Sequence, residues 1–148
     1  MNVQTARGDV IVVGGGRVGR RTADQLTGEG YVVTIIERDG EKGRQIPDHI
    51  ASRVFVGDGA DGDVLGRADT GTADVVAGLT NDTETNLSVC DLARESNPDV
   101  GTIVRIGKDG EQDYAHLEYV DSVVYPAAAG ASVAAARIDS TAAAVDGS

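Results

Sequence analysis

The sequence predicts a doubly wound α/β domain: a parallel sheet of about six strands with helices on both faces. Three observations lead there. Short β-branched runs alternate with longer amphipathic stretches along the whole chain. The first run, Val10-Ile11-Val12-Val13, is continuously apolar, as expected of a strand buried on both faces of a parallel sheet. A glycine cluster, Gly14 to Gly16, turns the chain directly from that run into a helical pattern.

The elements follow in order. Val18 to Leu26 has helical spacing and is stopped by Gly28 and Gly30. Tyr31 to Ile36 is the second strand. Residues 41–50 form a weak helix around Ile46, Pro47 and Ile50. Arg53 to Val56 is the third strand, ended by Gly57-Asp58-Gly59, and 60–67 is a short helix around Val64 and Leu65. Ala73 to Leu79 is the fourth strand. Thr80 or Asn81 caps a helix from about Thr83 to Glu95, ended by Asn97-Pro98. Gly101 to Ile106 is the fifth strand. Residues 110–118 make a short helix with Tyr114 and Leu117 inward, and Asp121 to Tyr125 is the sixth strand. Pro126, suited to a first helical turn, opens an alanine-rich helix to about Ile138. Residues 1–138 thus read as one domain, and 139–148, small and polar, as a frayed tail.

Composition narrows the function. The 148 residues carry 13 Lys and Arg against 24 Asp and Glu, a formal net charge of −11. A nucleic-acid partner is not expected, because phosphate requires a cationic surface. No apolar run reaches the roughly 18 residues of a membrane span, and the polar opening Met1 to Asp9 does not resemble a secretory leader. Asp far outnumbers Glu, and the only lysines are Lys42 and Lys108. Such a surface resembles proteins of salt-loving archaea, in which concentrated salt screens the self-repulsion. A single cysteine, Cys90, leaves no internal disulfide, and two histidines, His49 and His116, offer little for metal catalysis.

The segment Gly14-Gly15-Gly16-Arg17-Val18-Gly19 fits G-x-G-x-x-G between a strand and a helix, the context in which this pattern signals a Rossmann-like dinucleotide site. Gly14 permits the tight turn, Gly16 lets backbone amides approach a pyrophosphate, and Gly19 lets helix and strand pack closely. The helix N-terminus attracts the anion. Glu37 ends the second strand 18 residues after Gly19, where an acid binds a ribose hydroxyl and repels a 2′-phosphate; NAD or an unphosphorylated adenine ribose is favoured over NADP. Arg38 stacks on adenine or pairs with a phosphate. Arg17, unfavourable at a helix N-terminus by itself, suits one that holds a phosphate. Asp58 reaches the same crevice and accepts from an adenine amino group, or simply forms an Asx turn. Asp58, Asp61 and Asp63 lack the spacing of a calcium loop.

These residues together resemble the RCK (KTN, or TrkA-N) domains of Trk and Ktr potassium-uptake regulators and of ligand-gated potassium channels. The resemblance rests on the Gly14 to Gly19 loop, Ile36-Glu37-Arg38-Asp39, Gly57-Asp58-Gly59-Ala60-Asp61 with Leu65, and Ala73-Asp74-Val75-Val76 leading to Thr80-Asn81-Asp82 and Asn86. Arg105 and Asp121-Ser122-Val123-Val124-Tyr125-Pro126 add to it, and it covers roughly residues 8–138. It implies a regulatory domain, not an enzyme, that binds NAD(H), ATP, ADP or AMP. By position, Gly14, Gly16, Arg17, Val18 and Gly19 would hold phosphates, Glu37 and Arg38 the adenosine ribose, and Asp58 and Ala60 the adenine side. Thr80, Asn81 and Arg105 would line the rest. It also implies a homodimer or ring beneath a membrane potassium transporter or channel subunit, at the cytoplasmic face. The last helix either covers the sheet edge or, as the resemblance favours, crosses to a partner subunit. The alternative is a small NAD-dependent oxidoreductase, which would require a substrate pocket and a proton donor.

Overall fold

The computed structural model describes residues 6–107, 114 and 117–146. Six parallel strands form one sheet in the order β3-β2-β1-β4-β5-β6. They are β1 (Asp9–Val13), β2 (Val32–Glu37), β3 (Arg53–Val56), β4 (Val75–Gly78), β5 (Gly101–Arg105) and β6 (Ser122–Val124). Order reverses between β1 and β4, which opens a crevice beyond their carboxyl ends. The helices are α1 (Arg17–Gly28), α2 (Gly40–Arg44), α3 (Gly62–Arg67), α4 (Thr83–Ser96) and α5 (Pro126–Asp146).

Alternation along the strands builds the two layers. Val10 and Val12 of β1, with Val33 and Ile35 of β2, pack under α1 with Ala23 and Leu26. Ile11 and Val13, with Ile36 and Val76, pack under α3 and α4 with Val64, Leu65, Val89 and Ala93. A smaller cluster of Cys90, Val104, Ile106 and Val120 takes in Tyr114 and Leu117. Burial pushes the Cys90 thiol up to about 12, and its Sγ donates to the Ile103 carbonyl. It is a small core residue, as its place in the middle of α4 suggests.

Several elements depart from the sequence expectation. The helix expected over 41–50 is one turn, Gly40–Arg44. Pro47 disfavours a helical residue before it, and two glycines weaken the rest. Thr70–Thr72 forms a 3-10 turn that the pattern did not announce. The residue flanking the start of α4 is Asp82 rather than Thr80 or Asn81. The turn ahead of it is held by the Asp82 amide donating to Thr80 Oγ1 at 3.1 Å. The helix expected over 110–118 falls largely outside the described residues, as does His116.

The largest difference is α5. It runs to Asp146 instead of ending near Ile138, so 139–146 is not a frayed tail. Alanine has the best helix propensity, and neither Gly nor Pro interrupts the run between Ala131 and Asp146. Nor does α5 cover the sheet edge: every residue from 127 to 145 is exposed, Ile138 at 68%. At 21 residues the helix is about 32 Å long. No helix among the described residues is long and apolar enough to cross a membrane.

Two ion pairs form among the described residues, Arg53–Asp69 and Arg94–Asp121. Few carboxylates among the described residues are therefore paired with a cation on a chain of net charge −11. Melting temperature should rise from low to molar potassium chloride as their mutual repulsion is screened; a flat profile would count against the salt-adapted reading.

Candidate functional site

The carboxyl ends of β1, β2, β4 and β5, the end of β3 and the start of α1 surround a crevice of about 810 Å3. Gly14 makes the turn that creates it. Its φ of +114° suits glycine, and a Cβ there would stand 2.9 Å from the Thr80 backbone nitrogen. Gly16 takes the N-cap position of α1 with no side-chain cap. The first-turn amides of α1 have no carbonyl within their own helix and are available to an anion. A Cβ on Gly16 would meet no heavy atom within 4 Å, so the space above it is open. Gly19 faces away from the crevice, packed on the Gly14 carbonyl.

Glu37 holds this loop in place. Its Oε1 accepts from the Gly15 amide at 2.8 Å and its Oε2 from the Asp39 amide at 2.7 Å. Gly15 suits the contact, since a Cβ there would lie 3.0 Å from Oε1. Each carboxylate oxygen keeps a further lone pair for a ribose hydroxyl. Asp58 lines the crevice and also closes an Asx turn, its Oδ1 accepting from the Ala60 amide at 2.9 Å. Both readings of Asp58 therefore describe the same side chain. Ala60 lies behind that turn and does not line the crevice.

Arg17 and Val18 line the α1 side, Arg38 the β2 side next to Glu37, and Asn81 and Arg105 the wall at the ends of β4 and β5. Thr80 lines that wall too, but its own polar groups are spent internally. Its amide and hydroxyl donate to Asn86 Oδ1 at 2.9 and 2.7 Å, and its carbonyl accepts from Asn86 Nδ2 at 3.0 Å. Arg105 is less committed. Its Nη1 donates to the Leu79 carbonyl at 3.4 Å, and its buried Nε has no partner. Arg105 lines the crevice, where a guanidinium can donate to a phosphate or a carboxamide oxygen.

Sequence reasoning left Asp39, Lys42, Asp82, Thr85 and Asn86 out of the site. Lys42, in the first turn of α2, lines the crevice; its rarity in a chain with two lysines was the available signal. Asn86 is fully buried behind the far wall. The crevice thus gathers Arg17, Arg38, Lys42 and Arg105 against Glu37, Asp39, Asp58 and Asp82. Four cations and four acids leave it near neutrality on a body of net charge −11, the local field an anionic ligand needs. Among the described residues no His, Cys, Asp and Glu cluster could hold a metal ion.

A parallel sheet in this order, with a glycine loop opening α1 and an acid ending β2, defines a Rossmann-type domain. The chain belongs to the TrkA-N domain family, whose model matches residues 10–126. It is 37% identical over 122 residues to a Trk system potassium uptake protein TrkA homolog from Pyrococcus horikoshii, covering 79% of this chain and 54% of that one. The chain therefore spans about half the length of the curated relatives it matches. Among solved structures, the fold is similar to the NAD(P)-binding domain of an exopolyphosphatase-related protein from Archaeoglobus fulgidus. The TM-score is 0.77 at 23% identity, over 90% of this chain and 99% of that one. A Kef C-terminal domain from Shewanella denitrificans, in its AMP-bound form, has a TM-score of 0.60 at 26% identity, over 68% of this chain and 60% of that one.

Proposed function

We propose that this chain is a nucleotide-sensing regulatory domain of a membrane potassium-transport system, with NAD(H) as its principal ligand and AMP, ADP or ATP sharing the adenosine end. The observation that carries this is the near-neutral crevice at the β1–β4 switch point, where free α1 amides, Arg17 and Glu37 converge. It is supported by family membership and by the printed name of the Pyrococcus relative. The pyrophosphate lies over Gly16 beside Arg17. The adenosine ribose meets Glu37, whose charge disfavours a 2′-phosphate. The adenine amino group meets Asp58, and the second nucleoside extends to Asn81 and Arg105.

Binding without turnover fits the lining better than oxidoreduction does. Among the described residues the crevice holds no histidine, cysteine or tyrosine, and the Cys90 thiol is buried elsewhere. The test is calorimetric titration with NAD, NADH, NADP, AMP, ADP and ATP in high potassium chloride. Tight binding of NAD or NADH with NADP markedly weaker, and no hydride transfer to or from a hydroxy acid, is the expected outcome. Absence of binding by every nucleotide, or NAD-dependent turnover, would overturn the reading.

The output is mechanical. The exposed helix α5 pairs with a second copy, giving a symmetric dimer as the minimal unit or a ring built from dimers. Nucleotide occupancy biases the angle between subunits, and a membrane potassium transporter or channel subunit on the cytoplasmic side reads that angle. Ala134 and Val133 permit close helix approach, and Ile138 at 68% exposure gains a covered environment. Light scattering in molar salt should give a dimer or larger for the full chain, and a monomer when the chain stops after Pro126. A strictly monomeric full chain would contradict the α5 dimer, and an unchanged oligomer after truncation would relocate the interface.

A further inference from the structure

Asn86 is the first buried residue of α4 and has 0% exposure. Its side-chain amide makes four hydrogen bonds. Oδ1 accepts from the Thr80 amide and hydroxyl at 2.9 and 2.7 Å, and Nδ2 donates to the Thr80 and Arg105 carbonyls at 3.0 and 2.9 Å. The last ladder pair between β4 and β5 is Gly78 with Val104. Beyond it, the two strand ends present carbonyl oxygens that cannot bond to each other, and an NH2 group with two donors joins them. The helix is seated for this task. A Cβ on Gly78 would stand 2.8 Å from Asn86 Cα, so α4 meets β4 at backbone contact there.

We propose that Asn86 is the positioning residue for the far wall of the crevice, and that it sets the preference for a dinucleotide over a mononucleotide. The inference rests on the nucleotide-binding reading above. The adenosine half of a ligand meets the glycine loop, Glu37 and Asp58, and Asn86 bonds to none of these. The second nucleoside must cross to the β4 and β5 ends, whose backbone Asn86 holds. An aspartate of the same shape puts acceptors against two carbonyls, and an alanine leaves the Thr80 and Arg105 groups unpaired.

The test compares NAD with AMP by equilibrium titration of the full chain. Asn97→Ala is the control. Asn97 sits at the other end of α4, and its Nδ2 also joins two carbonyls, those of Thr70 and Ala73, both at 3.1 Å. Asn86→Ala should weaken NAD by about tenfold or more while AMP changes by less than about twofold. Asn97→Ala should lower the melting temperature and leave both affinities and their ratio alone. Equal losses for NAD and AMP in Asn86→Ala, or no loss of NAD binding, would overturn the inference. Should Asn86→Ala fail to fold, Thr80→Val removes the hydroxyl's bond to Asn86 together with its bonds to the Asp82 carbonyl and amide, and leaves the other three Asn86 bonds in place. It should shift the NAD-to-AMP ratio the same way, by about threefold; an unchanged ratio would overturn it. A parent chain that binds neither nucleotide would instead sink the reading on which the inference rests.

Discussion

Gly16→Val should fold as the parent chain does and lose nucleotide binding by about 100-fold or more, roughly 2.8 kcal/mol. The backbone at Gly16 is extended, with φ −80° and ψ −164°, which valine adopts readily. The added side chain would meet no protein atom within 4 Å of its Cβ. It would instead stand in the open space above the α1 amides, where the proposed site would put the phosphates. Valine is a poor N-cap residue, so folding stability should fall by no more than about 1 kcal/mol. Circular dichroism melting beside calorimetric titration separates the two effects. Normal binding by this variant would show that the ligand lies elsewhere.

Gly19→Ala should do the reverse, and by the largest margin of any single methyl in the loop. An added Cβ would fall on the Gly14 carbonyl oxygen, well inside contact distance. The obstacle is backbone rather than a side chain that can swing aside. Either α1 moves off β1, exposing Ala23 and Leu26 where they pack, or Gly14 abandons its turn. Overpacking of this kind costs about 3 kcal/mol or more, and denaturant unfolding should report it with or without ligand. A variant as stable as the parent would mean that α1 and the loop are not packed as described.

Much of this fold is written in local patterns. Continuous β-branched runs such as Val10 to Val13 announce strands covered on both faces, and Arg53–Val56 is a strand over its whole expected range. The glycine loop is legible because each glycine answers a separate steric demand. The limits of legibility have physical causes too. Residues 41–50 carry apolar spacing, but Pro47 breaks it. In 139–146, small polar residues resemble a loose end, yet alanine propensity carries the helix on to Asp146. The site divides in the same way. Glu37 and Asp58 announce themselves by position at strand ends. Thr80 marks the correct wall, but its polar groups turn inward. Asn86 stands in the motif that carries the family resemblance, but its role is visible only once the two carbonyls it joins are brought together.

The central claim is that a nucleotide occupies the crevice opened by Gly14 and walled by Glu37. The most direct measurement is amide hydrogen exchange on the full chain in potassium chloride, with and without saturating NAD. Ligand bonds to the free α1 amides should slow exchange over Gly16 to Gly19, with further protection around Glu37 to Asp39. The first residues of β1 to β5, at the opposite edge of the sheet, should exchange as before. Saturable NAD binding that leaves Gly16 to Gly19 and Glu37 to Asp39 unchanged would contradict the assignment of the site.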